Sequence, residues 1–62
     1  MERCNVTNTN TGKTIGADIL SRSDKQIKVA LDGTKFSLML YRSDVRRPYV
    51  GNMSGMEFTS NG

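Results

Sequence analysis

The chain has 62 residues, 35% of them hydrophobic, with one cysteine, no histidine and a net charge of +3. That length sets a ceiling of one small domain with a modest core, because a chain of this size buries only about 60% of the surface its unfolded form exposes. One thiol and no imidazole leave no intrachain disulfide, no zinc site and no Cys-His nucleophile, so neither a metal nor a cofactor is expected. No apolar run approaches the roughly 20 residues that span a bilayer, and Met1-Glu2-Arg3-Cys4 has no apolar signal region. A cytoplasmic protein without membrane contact is expected, in keeping with the unpaired Cys4, which should pack as a small buried hydrophobe.

The first element is a short strand around Arg3–Thr7, with Cys4 and Val6 facing inward. Apart from Val6, residues 5–11 are all Asn or Thr, which compete with helix by bonding their own backbone and favour turns and edge strands. Gly12-Lys13-Thr14 closes the phosphate-loop pattern, but Thr7 stands where its first glycine belongs. The residues that follow, Ile15, Ala17 and Ile19, repeat with a period of two, so a turn feeds a strand over Lys13–Arg22 and no helix receives a phosphate. Leu20 breaks that alternation and predicts a bulge, and Gly16 inside the strand predicts a kink that lets a sheet curl.

Lys25–Leu31 alternates cleanly, with Ile27, Val29 and Leu31 on one face. Asp32-Gly33 then predicts a tight type I′ hairpin into Lys35–Tyr41, whose Phe36, Leu38 and Leu40 face inward. Arg42–Pro48 reads as a basic loop, and Tyr49–Thr59 as a final strand with Val50, Met56 and Phe58 inward. No window keeps helical periodicity. The fold expected is all-β: five short antiparallel strands in a small SH3- or Sm-like barrel or a strongly curled sheet, without substantial helix. Residues 1–59 form the single domain and 60–62 a flexible tail. Arg-Ser-Asp recurs at 22–24 and 42–44, where shared turn chemistry accounts for it.

An enzyme is not expected, since the six acids are scattered and no acid–base or nucleophile pairing is present. The charge is more informative. Lys35, Arg42, Arg46 and Arg47 face one acid, Asp44, between positions 35 and 47, whereas bases and acids balance elsewhere. Three arginines can fork onto phosphates, Lys35 adds field, and Tyr41 and Tyr49 flank the loop where they could stack on bases. RNA or single-stranded DNA is one expected partner. A second copy or another protein is the alternative, because Leu38-Met39-Leu40-Tyr41 is apolar on both faces of its strand. Met39 and Tyr41, with Leu20 and Met53, would then form an exposed interface.

Two resemblances accompany these readings. Gly12, Gly16, the run Asp24-Lys25-Gln26-Ile27-Lys28, Leu31 and Tyr49-Val50-Gly51-Asn52 resemble the two motifs of Sm-like proteins, small five-stranded barrels that assemble into rings and bind RNA. The resemblance covers about two thirds of the chain and implies a small curled barrel, with Gly51 and Asn52 as the residues that carry over. Lys28 stands where that family has a base-contacting Asn, and Val50 where it has Arg. Arg42-x-x-x-Arg46 followed by Asn52-Met53-Ser54 is similar to the PilZ receptors of cyclic dinucleotides, with Glu57 in place of their glycine.

Overall fold

Strict alternation of apolar residues over short runs produces strands with one buried face, and such strands must close on one another to hide it. The computed structural model describes residues 2–62, which form six strands: β1 (Arg3–Asn8), β2 (Thr14–Arg22), β3 (Gln26–Leu31), β4 (Ser37–Tyr41), β5 (Tyr49–Met53) and β6 (Met56–Ser60). They pair antiparallel in chain order, and β6 pairs with β1 to close a barrel. Among the described residues no helix is long and apolar enough to cross a membrane.

The strand count is six and not five, because Tyr49–Thr59 is a hairpin. Ser54 and Gly55 have φ of 53° and 77°, and Met53 pairs with Met56, which is a two-residue turn of the I′ kind. At Asp32-Gly33, where that turn was expected, only Gly33 has positive φ and the connection runs on to residue 36. Phe36 is therefore outside β4, at a barrel mouth and 63% exposed, and does not belong to the core.

The predicted bulge is present. Register passes from Ile19↔Val29 to Ser21↔Lys28, leaving Leu20 as the extra residue. Gly16 also has a packing reason, since a Cβ there would lie 2.7 Å from the Arg3 guanidinium and 2.8 Å from the Asp32 carboxylate. Arg3 thus bonds Asp18, its cross-strand partner on β2, at 2.7 Å and crosses the bare backbone at Gly16 to reach Asp32.

The core draws Val6 from β1, Ala17 and Ile19 from β2, Ile27, Val29 and Leu31 from β3, Leu38 and Leu40 from β4, Tyr49 from β5 and Phe58 from β6. Cys4 packs half-buried at its margin. In β5 the inward residues are Tyr49, Gly51 and Met53, so Val50 faces out, opposite to expectation. The reason is a close crossing: a Cβ on Gly51 would meet the Met39 carbonyl oxygen and lie 2.8 Å from Leu40 Cδ2, so only glycine fits where β5 passes β4. Ser60, assigned to a tail by sequence, is the last residue of β6 and is buried, pairing with both Val6 and Tyr49.

Candidate functional site

In an up-and-down barrel alternate connections open at the same end. The β2–β3 turn and the β4–β5 loop share one mouth with the termini, while the connections 9–13, 32–36 and 54–55 share the other. The pair Tyr41↔Val50 closes the β4–β5 loop at its base. Within the loop the Asp44 carboxylate accepts the Arg46 N–H at 2.9 Å, and the Asp44 carbonyl accepts the Arg47 N–H at 3.0 Å. An aspartate bonding the backbone two residues on is ordinary turn chemistry. The Arg46 N–H, and then its guanidinium, hold the Asp44 carboxyl below the usual aspartate range.

Arg42 is occupied. Its Nε donates to the Asp24 carbonyl at 2.6 Å, its Nη1 donates to the Val45 carbonyl at 3.1 Å, and its guanidinium lies 4.2 Å from the centroid of the Tyr49 ring. The side chain pins the β2–β3 turn to the β4–β5 loop and does not fork outward. Tyr49 is 0% exposed and donates its hydroxyl to the Ser23 carbonyl at 3.1 Å. A ring with both faces buried cannot stack on a base, so the role expected of Tyr49 is replaced by a structural one. Lys35 precedes β4 and Arg42 follows it, so Lys35 sits at the opposite mouth and does not join the loop's charge.

Arg46, Arg47 and Tyr41 remain. The Arg46 side chain is 87% exposed and touches Asp44 only at 3.4 Å, a solvent-screened surface pair that holds it weakly. The exposed Arg47 side chain makes no hydrogen bond or ion pair among the described residues, and the two arginines line a shallow recess with Asp44 and Pro48. Tyr41 is 54% exposed on the outer sheet face, between Gln26 of β3 and Val50 of β5.

The residues expected of a protein interface divide. Leu20 stands out at the bulge, 47% exposed, and Met39 is half-buried on the outer face opposite Lys28. Met53 faces inward and packs against the core, so it leaves that set. Val45, 58% exposed in the loop, escaped the sequence reading because a single apolar residue in a turn carries no period. Lys25 and Lys28 escaped it too. Each looks locally balanced by the acids of neighbouring turns, and only strand pairing shows that Lys28 shares a face with Tyr41 and that Lys25 lies beside Arg42.

The resemblances fare unequally. Gly51 is accounted for by the close crossing of β4 and β5, and Asn52 is exposed. Asn52-Met53-Ser54 lies at the mouth opposite Arg42 and Arg46, so the two halves of the PilZ-like pattern are not brought together. Among the described residues no cluster of three His, Cys, Asp or Glu side chains could hold a metal ion. No family model, no curated protein and no solved structure matches the chain.

Proposed function

We propose that this protein is a non-enzymatic binding module, a small barrel of the SH3- or Sm-like kind, that contacts nucleic acid through its β4–β5 loop. One observation carries the reading: Arg46 and Arg47 project from the loop without a strong partner, beside the outward Tyr41 at its base. Guanidinium groups held this way neutralise phosphates, and an exposed aromatic ring offers a base a stacking surface. Recognition by this means has little sequence preference, because phosphate contacts position a ligand without reading it. The unpaired Cys4 supports a reducing, cytoplasmic setting.

The test is the anisotropy of a labelled mixed-sequence single strand at about 50 and about 200 mM salt. Two phosphates at about −0.7 each in the log–log slope cost roughly sevenfold in affinity over that range. Changing Arg46 and Arg47 together to Gln should remove most of the binding. Unchanged affinity in that double variant overturns the assignment.

A second reading, a protein-interaction or self-associating module, is favoured by the bare Leu20 and Tyr41 beside Met39 on the outer face. On that reading Tyr41→Ser weakens association in sedimentation equilibrium, and neutralising Arg46 and Arg47 leaves it unchanged.

A further inference from the structure

We infer that the site extends beyond the loop, across β4 onto β3, where Lys25 and Lys28 complete a track for a single-stranded polynucleotide running past Tyr41. The inference rests on the nucleic-acid reading above and adds the residues, the path and the strandedness of the ligand.

Register places Lys28 beside Tyr41, and the barrel mouth places Lys25 beside the loop. Tyr41 pairs with Gln26 on one side and Val50 on the other, and Lys28 pairs with Met39, so Lys28 is the diagonal neighbour of Tyr41 on the same outer face. Lys25 lies one residue before β3, opposite in strand parity to Lys28, and stands at the barrel mouth, where its carbonyl accepts the Arg42 N–H at 2.8 Å beside the base of the loop. Both lysines are exposed, and neither makes an ion pair among the described residues.

The arrangement of charge around the barrel favours a polyanion on this side. Arg3 is neutralised by Asp18 and Asp32, and Arg22, at the mouth shared with the loop, by Glu2, so neither adds free charge. Around Tyr41, Lys25, Lys28, Arg42, Arg46 and Arg47 meet two acids, Asp24 and Asp44, and Asp44 already accepts from Arg46. The surface between the cations is apolar and outward-facing, formed by Met39, Tyr41 and Val50. An outward ring amid apolar neighbours can take the face of a base only when that base is free of a duplex stack. Phosphates then reach the arginines on one side of the ring and the lysines on the other.

The salt dependence of single-strand binding separates this inference from the reading beneath it. Four neutralised phosphates predict a log–log slope near −2.8, about a fifty-fold loss between 50 and 200 mM salt; the two arginines alone predict about −1.4. The probe is a labelled deoxythymidine oligonucleotide of about ten residues, with a mixed-sequence duplex of equal length beside it. Changing Lys25 and Lys28 together to Gln should return the slope to about −1.4 while circular dichroism stays that of the wild type. Tyr41→Ser should weaken the single strand by roughly tenfold, as loss of a stacked base does, and leave duplex binding unchanged.

A wild-type slope near −1.4 that Lys25 and Lys28 do not influence overturns the extended track and leaves the loop reading intact. A duplex that binds as tightly as the single strand overturns the strandedness. No binding of either probe at 50 mM salt removes both the inference and the function it rests on.

Discussion

Tyr49 shows how one side chain sets the shape of the loop above it. Its ring fills the core, its hydroxyl holds the Ser23 carbonyl, and its face carries the Arg42 guanidinium. Tyr49→Phe keeps the ring and loses one hydrogen bond, so it should cost about 1 kcal/mol in a urea melt. Tyr49→Ala should cost about 3–5 kcal/mol, which on a chain this short approaches the whole stability and leaves no cooperative transition. The ionisable residues make a second prediction at this scale. The Arg3 guanidinium holds the Asp32 carboxyl below its ordinary range, and the Arg46 N–H does the same for Asp44. Both folded-state values are depressed, so below the ordinary aspartate value of about 3.9 the unfolded chain takes up protons first. Stability from these groups is therefore fully present at neutral pH and is lost as pH falls below about 4 toward the folded-state values. Urea melts between pH 7 and 2 should show that fall, with a shallower one in Asp32→Asn. An equal fall in Asp32→Asn would assign the acid sensitivity to other carboxyls.

Among the elements, β4 and β5 meet at the most exacting point of the barrel. Gly51 lets their backbones approach, and a methyl group there runs into the Met39 carbonyl, which is backbone and cannot swing aside. Gly51→Ala should therefore destabilise by about 3 kcal/mol, at the upper end of overpacking effects, measured by thermal unfolding. The start of β4 offers the contrasting case. Phe36 and Leu38 share a strand parity, but Phe36 stands outside the strand and in solvent. Phe36→Ser should change stability by less than about 0.5 kcal/mol, whereas Leu38→Ala should cost about 2–5 kcal/mol. Strand parity was readable in the run Phe36–Tyr41. The point where the strand begins was not, because the Asp32-Gly33 signal belongs equally to a tight hairpin and to the longer connection that forms.

For the whole molecule the decisive contact is between β1 and β6, which joins residues 6–8 to residues 58–60. Every other neighbouring pair is adjacent in sequence, but closure needs the two ends of the chain together, and loop-closure entropy must be overcome before that ladder forms. Folding should accordingly be slow for so short a chain, in the millisecond-to-second range typical of barrels with distant pairings, as stopped-flow refolding would measure. Truncation after Met53 should abolish cooperative unfolding, since loss of β6 exposes Val6 and the β1 edge. The distribution of charge is set by the strands between the ends. Strand β4 separates Lys35 at one mouth from Arg42, Arg46 and Arg47 at the other, and the sequential pairing of β3, β4 and β5 brings Lys28 and the β4–β5 loop beside Tyr41.

Much of the architecture was already present in local order along the chain. The alternation of Lys25–Leu31, the break at Leu20 and the absence of any helical period determined an all-β fold with a bulge in β2, because strand formation and its period are settled by residues within a few positions of one another. The basic loop and the outward Tyr41 were legible for the same reason. Other features depend on residues far apart in sequence, and only the tertiary structure decided them. Tyr49 turned inward because the close crossing at Gly51 and the Ser23 carbonyl demanded it, against a stretch whose apolar residues at 49, 50 and 53 follow no single period. Arg42 was taken from the loop's free charge by carbonyls at Asp24 and Val45, Lys28 joined the candidate face through its register with β4, and Lys25 came to its rim through the backbone bond from Arg42. Local period sets which way a strand alternates; closure of the barrel sets what each face meets.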